Sequence, residues 1–464
     1  MVTAGDRNPH PTALSDGGEP YHPAVTSWPG RPPVPDHDPR IFHLREKVRT
    51  GLWFVPLIAV AVAWAASVVM HRIDEALGGD TPGFLAYNGD PQQAADVLST
   101  IAGSTLTFTG IVFSITAVAL QLGSSQFSPR ALRNFLRDRG TQWALAVLVA
   151  TFTYALLTLR YVDPSPDEGD VATPGLSVTL ALGLVLASLV AFVLFVSHLA
   201  QSIRVVSIIE RVAGETRAAI RETLPLVDPI PAPPAPDRPP DQVVTWERAP
   251  GALLGVDEDD LVALAAGAGA VIRLRRQVGD YLVSGAPVAD VWHDPGGHAI
   301  DDRAVLRRIG AGIERTMAQD PAFGFRQLVD IAERALSPAI NDPTTAVQAI
   351  DRIHDLLRRV ARRPAATGVH ADADGVPRLV VPVPSWNDLL HLGCDEIRQY
   401  GAGSLQVCRR LHAMFEDLLT VTDPGRAEAV RAQVALLDRA VARAFVDPED
   451  RAAAGCPDRQ GVGG

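Results

Sequence analysis

Lysine and cysteine are both scarce in this chain, and their scarcity excludes several kinds of site. Lys47 is the only lysine among 42 basic residues, so the folded parts can hold no Walker A loop, Schiff base or biotin attachment site. The three cysteines, Cys394, Cys408 and Cys456, are odd in number and widely spaced. This pattern argues against both a disulfide framework and a zinc ribbon.

A basic surplus is also lacking. The chain carries 53 acidic residues against 42 basic ones, which gives a formal charge of −11. Because nucleic acid is bound by clustered positive charge, the composition argues against nucleic acid as a partner. The preference for arginine over lysine, together with abundant alanine, glycine and proline, indicates a GC-rich bacterial genome.

Charged residues are missing from four long apolar runs in the first half of the chain. The runs are Leu52–Met70, Val97–Leu122, Trp143–Leu159 and Leu176–Ser197. A bilayer core about 30 Å thick is crossed by roughly 20 apolar residues in a helix. The sequence therefore predicts a multi-pass α-helical integral membrane protein with four transmembrane helices and the lipid bilayer as its surroundings.

The flanks of these runs predict their orientation. Short loops rich in Lys and Arg stay in the cytoplasm, and the acidic segments of this chain alternate with basic ones. We therefore expect both termini in the cytoplasm and the runs in a bacterial plasma membrane. The basic segments contain Arg40, Arg45, Lys47 and Arg49, then Arg130, Arg133, Arg137 and Arg139, then Arg204, Arg211, Arg217 and Arg221.

Amino-acid composition and the periodicity of apolar residues divide the chain into segments. The start is rich in Pro and Gly with almost no apolar run, which predicts disorder. The helical period of the fourth run continues to about Thr223. The predicted order is a disordered tail (1–40), a four-helix transmembrane domain (41–223), a Pro-rich linker (224–241), a C-terminal α+β cytoplasmic domain (242–446) and a second disordered tail (447–464).

Short apolar runs bounded by turn residues open the C-terminal domain, and helical patterns follow them. Strands followed by helices are the order of an α+β fold. The predicted strands are 243–247, 271–277, 288–292 and 378–383. The predicted helices are 300–318, 323–336, 343–362, 386–399, 402–420 and 426–445.

The second apolar run carries a stripe of small and polar residues on one helical face. Its members are Thr100, Gly103, Thr107, Gly110, Ser114, Gln121 and Ser125, at steps of three, four or seven. Either the stripe packs helices closely, as Gly, Ser and Thr do in membranes, or it lines a pore in which hydroxyls and carbonyls replace water.

The four runs contain no acid or base that could carry protons across the bilayer. The nearest basic side chain of the kind that moves protons is His198, at the end of the fourth run. Proton relays and ion-coupled transporters usually keep a charged side chain at depth. The pattern argues against a proton-driven pump and leaves a passive pore, a scaffold or a sensor.

The segment Ser337–Thr345 lies between two helical patterns and has two interpretations. In the structural one, Asn341 or Asp342 caps the following helix, whose first turn begins with Pro343. In the functional one, the segment is a ligand or subunit contact on which the preceding helix converges. That contact would use Arg326, Gln327, Asp330, Ser337, Asn341 and Asp342, although Arg326 and Asp330 are four residues apart and can simply pair.

Catalytic patterns are missing. The sequence contains no Gly-x-Ser-x-Gly elbow and no His-Glu-x-x-His motif. The acidic run Asp257–Asp260 fits the first turn of a helix better than a metal cluster. The sequence therefore offers no catalytic residue, no metal ligands and no cofactor site.

Longer motifs occur in both halves of the chain. They are Leu98–Thr105, Val112–Thr116, Ser125–Arg130, Asn134–Gly140, Gly324–Ala332, Ser337–Ala346 and Ile397–Ala402. These segments resemble the bacterial predicted membrane proteins grouped as domain of unknown function 2254, over about residues 40 to 445. Ala339 stands where the resemblance leads us to expect glycine. The resemblance implies a membrane location and this domain arrangement, and it implies no activity.

Three functions from different classes follow as hypotheses, and the sequence gives least support to the third, an enzyme with an unrecognised site. The first is a homo-oligomeric channel or pore whose second helix lines the path for an ion or small solute. The alternative is a membrane-anchored sensor or scaffold whose cytoplasmic domain binds a small ligand or a protein partner.

Overall fold

The computed structural model describes residues 53–77, 87, 89–126, 139–162, 174–202, 204–224, 230–234 and 237–460. Several expectations concern residues outside these ranges. They are the N-terminal tail, the basic residues before the first helix, Arg130, Arg133 and Arg137, the acids between the third and fourth helices, and residues 225–229, 235–236 and 461–464.

Four helices are long and apolar enough to cross a membrane, which confirms the predicted number of candidate spans. They are α1 (Phe54–Leu77), α2 (Pro91–Gln126), α3 (Arg139–Leu159) and α4 (Gly175–Ser202). The third helix is the most buried and packs against the other three. Its Tyr154 is fully buried and donates a hydrogen bond of 3.1 Å to the carbonyl oxygen of Ser177 on α4.

The first and fourth helices are joined at one end of this bundle. The carboxylate of Asp74 on α1 accepts hydrogen bonds of 3.0 Å from the backbone N–H groups of Leu176 and Ser177, in the first turn of α4. Those N–H groups have no partner within their own helix, and a negative charge near them is favourable. His71 stacks on Tyr161 at the same end, with ring centroids 3.9 Å apart.

The fourth helix does not continue unbroken to Thr223, as the sequence predicted. It ends at Ser202, and a separate helix, α5, covers Val205–Thr223. The residue before α5, Arg204, has an extended backbone (φ −65°, ψ 128°). The apolar period runs through this break, so periodicity alone could not reveal it.

Strands of the C-terminal domain form two sheets. The elements are β1 (Gln242–Thr245), β2 (Gly251–Val256), α6 (Glu258–Ala268), β3 (Ala270–Leu274), β4 (Tyr281–Leu282), β5 (Pro287–His293), α7 (Asp302–Arg307), β6 (Ile309–Gly312), β7 (Val369–Ala371) and β8 (Pro377–Val380). The larger sheet has the strand order β1-β5-β3-β8-β7 and the smaller β4-β2-β6. One predicted helix is wrong: 300–318 contains only the six-residue α7 and then β6, which pairs with β2.

Helices make the second body of this domain, and α5 belongs to its core. Side chains of α5 pack with Phe325, Ile353 and Leu390 in one continuous apolar cluster. The helices are α8 (Pro321–Ala335), α9 (Pro343–Ala361), α10 (Trp386–Gly401), α11 (Leu405–Leu419), α12 (Pro424–Ala444) and α13 (Pro448–Gly455).

The segment after residue 446 is not a disordered tail throughout. Asp447 caps α13, whose Ala454 is fully buried, and Arg409 of α11 donates a 2.7 Å hydrogen bond to the carbonyl oxygen of Ala453. Asp447-Pro448-Glu449-Asp450 is a helix-start sequence, with a cap, a proline and acids in the first turn. The prediction of disorder rested on composition and did not take this helix-start sequence into account.

Candidate functional site: the outward face of the second helix

The second helix has one face inside the bundle and one face outside it. Leu98 and Ile101 pack with Tyr154 of α3 in one apolar cluster, and Val112 packs with Phe195 of α4 in another. On the same inner face, Thr105 and Thr116 are buried and donate hydrogen bonds of 2.7 Å to carbonyl oxygens four residues earlier. The inner face therefore satisfies its polar groups within the chain.

The predicted stripe occupies the opposite face and is exposed along its described length. Its exposed residues are Thr100, Gly103, Thr107, Gly110, Ser114 and Gln121. A Cβ atom added at either glycine would meet nothing within 4 Å. No described helix of the same chain packs on these glycines, so the described residues leave room for another helix to pack closely there. The side chain of Ser125 lies outside the described residues.

The threonine hydroxyls of the stripe are already bonded. Thr100 donates to the carbonyl oxygen of Asp96 at 2.8 Å, and Thr107 donates to that of Gly103 at 3.0 Å. Such bonds remove much of the cost of a hydroxyl in hydrocarbon. The hydroxyl oxygens still have lone pairs that can accept a hydrogen bond from a partner or a water.

Larger apolar side chains flank the stripe on both sides. At 100° per residue, Leu106 and Phe113 lie to one side of it and Ile111 and Val118 to the other. All four side chains are exposed. The outward face of α2 is thus a shallow groove of small residues between two apolar ridges, and another helix can pack into a groove of this shape.

The predicted ligand or subunit contact in the C-terminal domain separates into two places. Arg326 pairs with Asp330 at 2.6 Å, with Glu333 at 3.2 Å and with Glu396 of α10. Arg326 lies nine residues, about 14 Å, before the end of α8, and Ser337 lies beyond that end. Gln327 is buried on a different side of α8 from Arg326. The ligand or subunit contact itself stays a prediction.

Within the turn, each predicted residue has a backbone role. Asp342 caps α9 by accepting from the N–H of Thr345 at 3.1 Å, and the Ser337 hydroxyl donates to the carbonyl oxygen of Arg334 at 2.7 Å. Asn341 has a positive φ of 50°, which asparagine tolerates better than most residues. Of the two candidates for the cap, Asp342 is the one used.

The carboxylates around Arg326 form a charge cluster that the sequence did not reveal. Burial and a hydrogen bond with Glu396 raise the pKa of Glu333 from 4.5 to about 7. The bond from Arg326 lowers the pKa of Glu396. Glu333 lies seven residues from Arg326 and Glu396 lies on another helix, so the i,i+4 rule pointed only to Asp330.

Comparison with known proteins gives a consistent result. A family described as "Predicted membrane protein (DUF2254)" matches residues 49–417. Uncharacterized proteins of Mycobacterium bovis and Mycobacterium tuberculosis are 36% identical to this chain over 411 residues, which cover 87% of this chain and 78% of theirs. No solved structure matches. The chain therefore belongs to the DUF2254 family of predicted membrane proteins.

Proposed function

We propose that the chain forms a homo-oligomeric pore in a bacterial plasma membrane, with the outward face of α2 at the centre of the assembly. The observation that carries this proposal is the exposure of Thr100, Gly103, Thr107, Gly110, Ser114 and Gln121 in a single chain. Among the described residues, a single copy provides no helix that packs on this face.

Lipid is a poor partner for such a face. Acyl chains make no better packing contacts with Gly than with Leu. A second helix does, because its backbone can approach closely where side chains are small. The free lone pairs of the Thr107 hydroxyl are also better satisfied by water or a polar neighbour than by hydrocarbon. Both arguments favour protein or a wet path at this face.

A pore and a dry helix interface differ in how Thr107 is used. In a wet path, hydroxyls and carbonyls replace part of an ion's hydration shell, and apolar constrictions close by dewetting. In a dry interface, valine fills the same space as threonine. Asp96 is exposed on the stripe side of the same helix, near one end, where a carboxylate would favour cations at the mouth.

The basic segments next to α1, between α2 and α3, and after α4 support an orientation with both termini in the cytoplasm. In that orientation Asp96 lies near the outer mouth and the C-terminal domain lies in the cytoplasm. From there the domain could bind a cytoplasmic ligand or protein partner, as in the sensor hypothesis, and so regulate the pore.

The test is single-channel recording of the purified full-length protein in planar bilayers. Thr107→Val should lower the conductance several-fold, because it places apolar surface in the constriction. The control is Leu106→Val, an exposed neighbour on the ridge, which should leave the conductance near that of the parent. Equal conductance of both variants, or no conductance from the parent, would refute the pore and leave the scaffold hypothesis.

A further inference from the structure

The start of α5 fixes one end of the C-terminal domain near the membrane. α5 begins at Val205, three residues after α4 ends at Ser202. Because α4 is long and apolar enough to span, the N-terminus of α5 has to lie at the surface where α4 emerges. α5 carries Glu210, Arg211 and Arg217, which are costly in hydrocarbon, so it leads away from the bilayer, and the parts of the domain level with Val205 are those nearest to it.

α5 is not itself an interfacial helix. Its apolar residues, Ile209, Val212 and Ile220, are buried against α8 and α9. A helix that lies on a membrane needs its apolar face free for the acyl boundary. The apolar face of α5 is already used by the domain, so the domain rather than α5 is the candidate for membrane contact.

α9 runs parallel to α5 and starts at about the same level. Glu210 pairs with Arg352 at 2.7 Å and Arg217 with Asp355 at 3.3 Å, so residue numbers rise together along the two helices. Val205 and Pro343 each lie twelve residues before the Arg217–Asp355 pair, so α9 starts level with α5 to within about one helical turn.

α8 ends at the same level. Thr216 of α5 lies so close to Gly324 of α8 that a Cβ there would collide with its hydroxyl. Eleven residues separate Thr216 from Val205, and eleven separate Gly324 from Ala335. Since the turn after α8 leads back into α9, the turn Ser337–Asn341 is the tip of the domain on the membrane side.

Two further helices end there. A Cβ at Gly401 of α10 would lie 3.3 Å from a methyl carbon of Leu336, next to the tip. α12 runs parallel to α10, because Trp386 donates to the carbonyl oxygen of Arg426 and Gln433 donates to Asp395. The end of α12 therefore reaches the same side. We call this surface the proximal end; it comprises Ser337–Asn341, Tyr400–Gly403 and Phe445–Val446.

Three exposed apolar side chains lie at the proximal end. Ile340 is 45% exposed, Tyr400 57% and Val446 87%. In the described stretch 321–446, the remaining large apolar residue with comparable exposure is Val376, in the β7–β8 hairpin. Neither Ser337–Asn341 nor Tyr400–Gly403 contains a charged residue. An uncharged tip with an isoleucine and a tyrosine has the composition of a membrane–water interface.

We infer that the proximal end rests in the headgroup region of the bilayer that holds α1–α4, with Ile340 and Tyr400 inserted. Tyrosine suits this zone, because its ring enters the acyl boundary while its hydroxyl stays hydrated. The acids Glu449 and Asp450 follow Val446, so Val446 lies at the rim of the contact and not at its centre. Together with the α4–α5 joint, this second attachment would hold the domain in one orientation on the membrane.

The test uses full-length protein in liposomes made with lipids that carry a quencher near the headgroup. The exposed Cys456 is replaced by serine, while Cys394 and Cys408 are buried and stay. An environment-sensitive fluorophore is attached at Ile340→Cys or Tyr400→Cys. The matched controls are Ile313→Cys, 95% exposed, and Val376→Cys, both on strand-connected segments away from the proximal end.

We expect strong quenching at positions 340 and 400 and little at 313 and 376. Quenching at 340 and 400 no stronger than at the controls would overturn the inference. A blue-shifted emission without quenching would also overturn it, because it would mean that protein covers the tip. This outcome is independent of conductance, so it stands or falls separately from the pore.

Discussion

The outward faces of α2 and α4 differ although both helices are long and apolar. The outward face of α4 is built from large apolar side chains: Leu186, Leu189, Val190, Val193 and Leu194 are exposed. On α2 the corresponding surface is Gly, Ser and Thr between apolar ridges. Mean hydropathy identifies both as spans, but only the distribution of small residues distinguishes a face suited to lipid from one suited to a partner.

Glycine alone does not make this distinction. Gly183 of α4 is also exposed, and a Cβ added there would meet nothing within 4 Å, as at Gly103 and Gly110. Its neighbours on the same face are Leu186 and Val190, which would keep a second backbone away. The row of small residues is therefore the feature that separates the two faces, and Gly183 is a natural control for it.

The largest expected effect is on self-association. Gly103→Leu or Gly110→Leu places a large side chain where another copy has to approach closely, and each should weaken the oligomer at least tenfold, about 1.4 kcal/mol. Gly183→Leu makes the same chemical change on α4 and should leave association unchanged. Analytical ultracentrifugation in mild detergent measures all three.

If the variants on α2 and α4 behaved alike, the proposed difference between the two outward faces would be wrong. A parent protein that is monomeric at every concentration, or an equal loss with Gly183→Leu, would mean that the small face of α2 contacts lipid as α4 does.

A smaller effect is expected in the C-terminal domain, where charge rather than shape sets the packing. Glu333 has a pKa of about 7 in the folded state against 4.5 ordinarily, so the folded state binds more protons between these values. Its contribution to stability is complete below pH 4.5 and is lost as the pH rises through 7. One such group changes the free energy of unfolding by at most about 1.4 kcal/mol per pH unit.

Glu333→Gln removes the titration and keeps the shape. The parent should lose on the order of 2 °C in its unfolding midpoint between pH 6 and pH 8, and Glu333→Gln should lose less. The control is Glu416→Gln, which removes a charge at an exposed site on α11. Self-association should not follow this pH dependence, because Glu333 lies in the C-terminal domain and not on the outward face of α2. Identical pH slopes for the parent and Glu333→Gln would contradict the assignment.

The sequence predicted the parts of the fold that depend on local pattern. The four candidate spans follow from run length, and α9 begins at Pro343 because Asp342 and Pro343 are strong start signals. β2 was not predicted, since Gly-Ala-Leu-Leu-Gly-Val has no alternation and is held as a strand by β4 and β6. The error over 300–318 has the same origin, because pairing with β2 outweighs a short apolar period.

The candidate site was predictable only in part. Spacing placed the stripe residues on one face, but which face points outward depends on how α3 packs, and that is a tertiary property. The Arg326 cluster needed Glu396 from α10, and the proximal end needed the direction of five helices. Residues that come together from distant segments leave no signal in a single sequence.

The most direct test of the central claim is cross-linking between copies in native membranes. In a Cys456→Ser background, Ser114→Cys on α2 and Val193→Cys on α4 are each treated with a short thiol cross-linker, and both original side chains are exposed. The account predicts a covalent dimer from Ser114→Cys and little or none from Val193→Cys. Equal yields from the two positions, or a dimer from Val193→Cys alone, would contradict it.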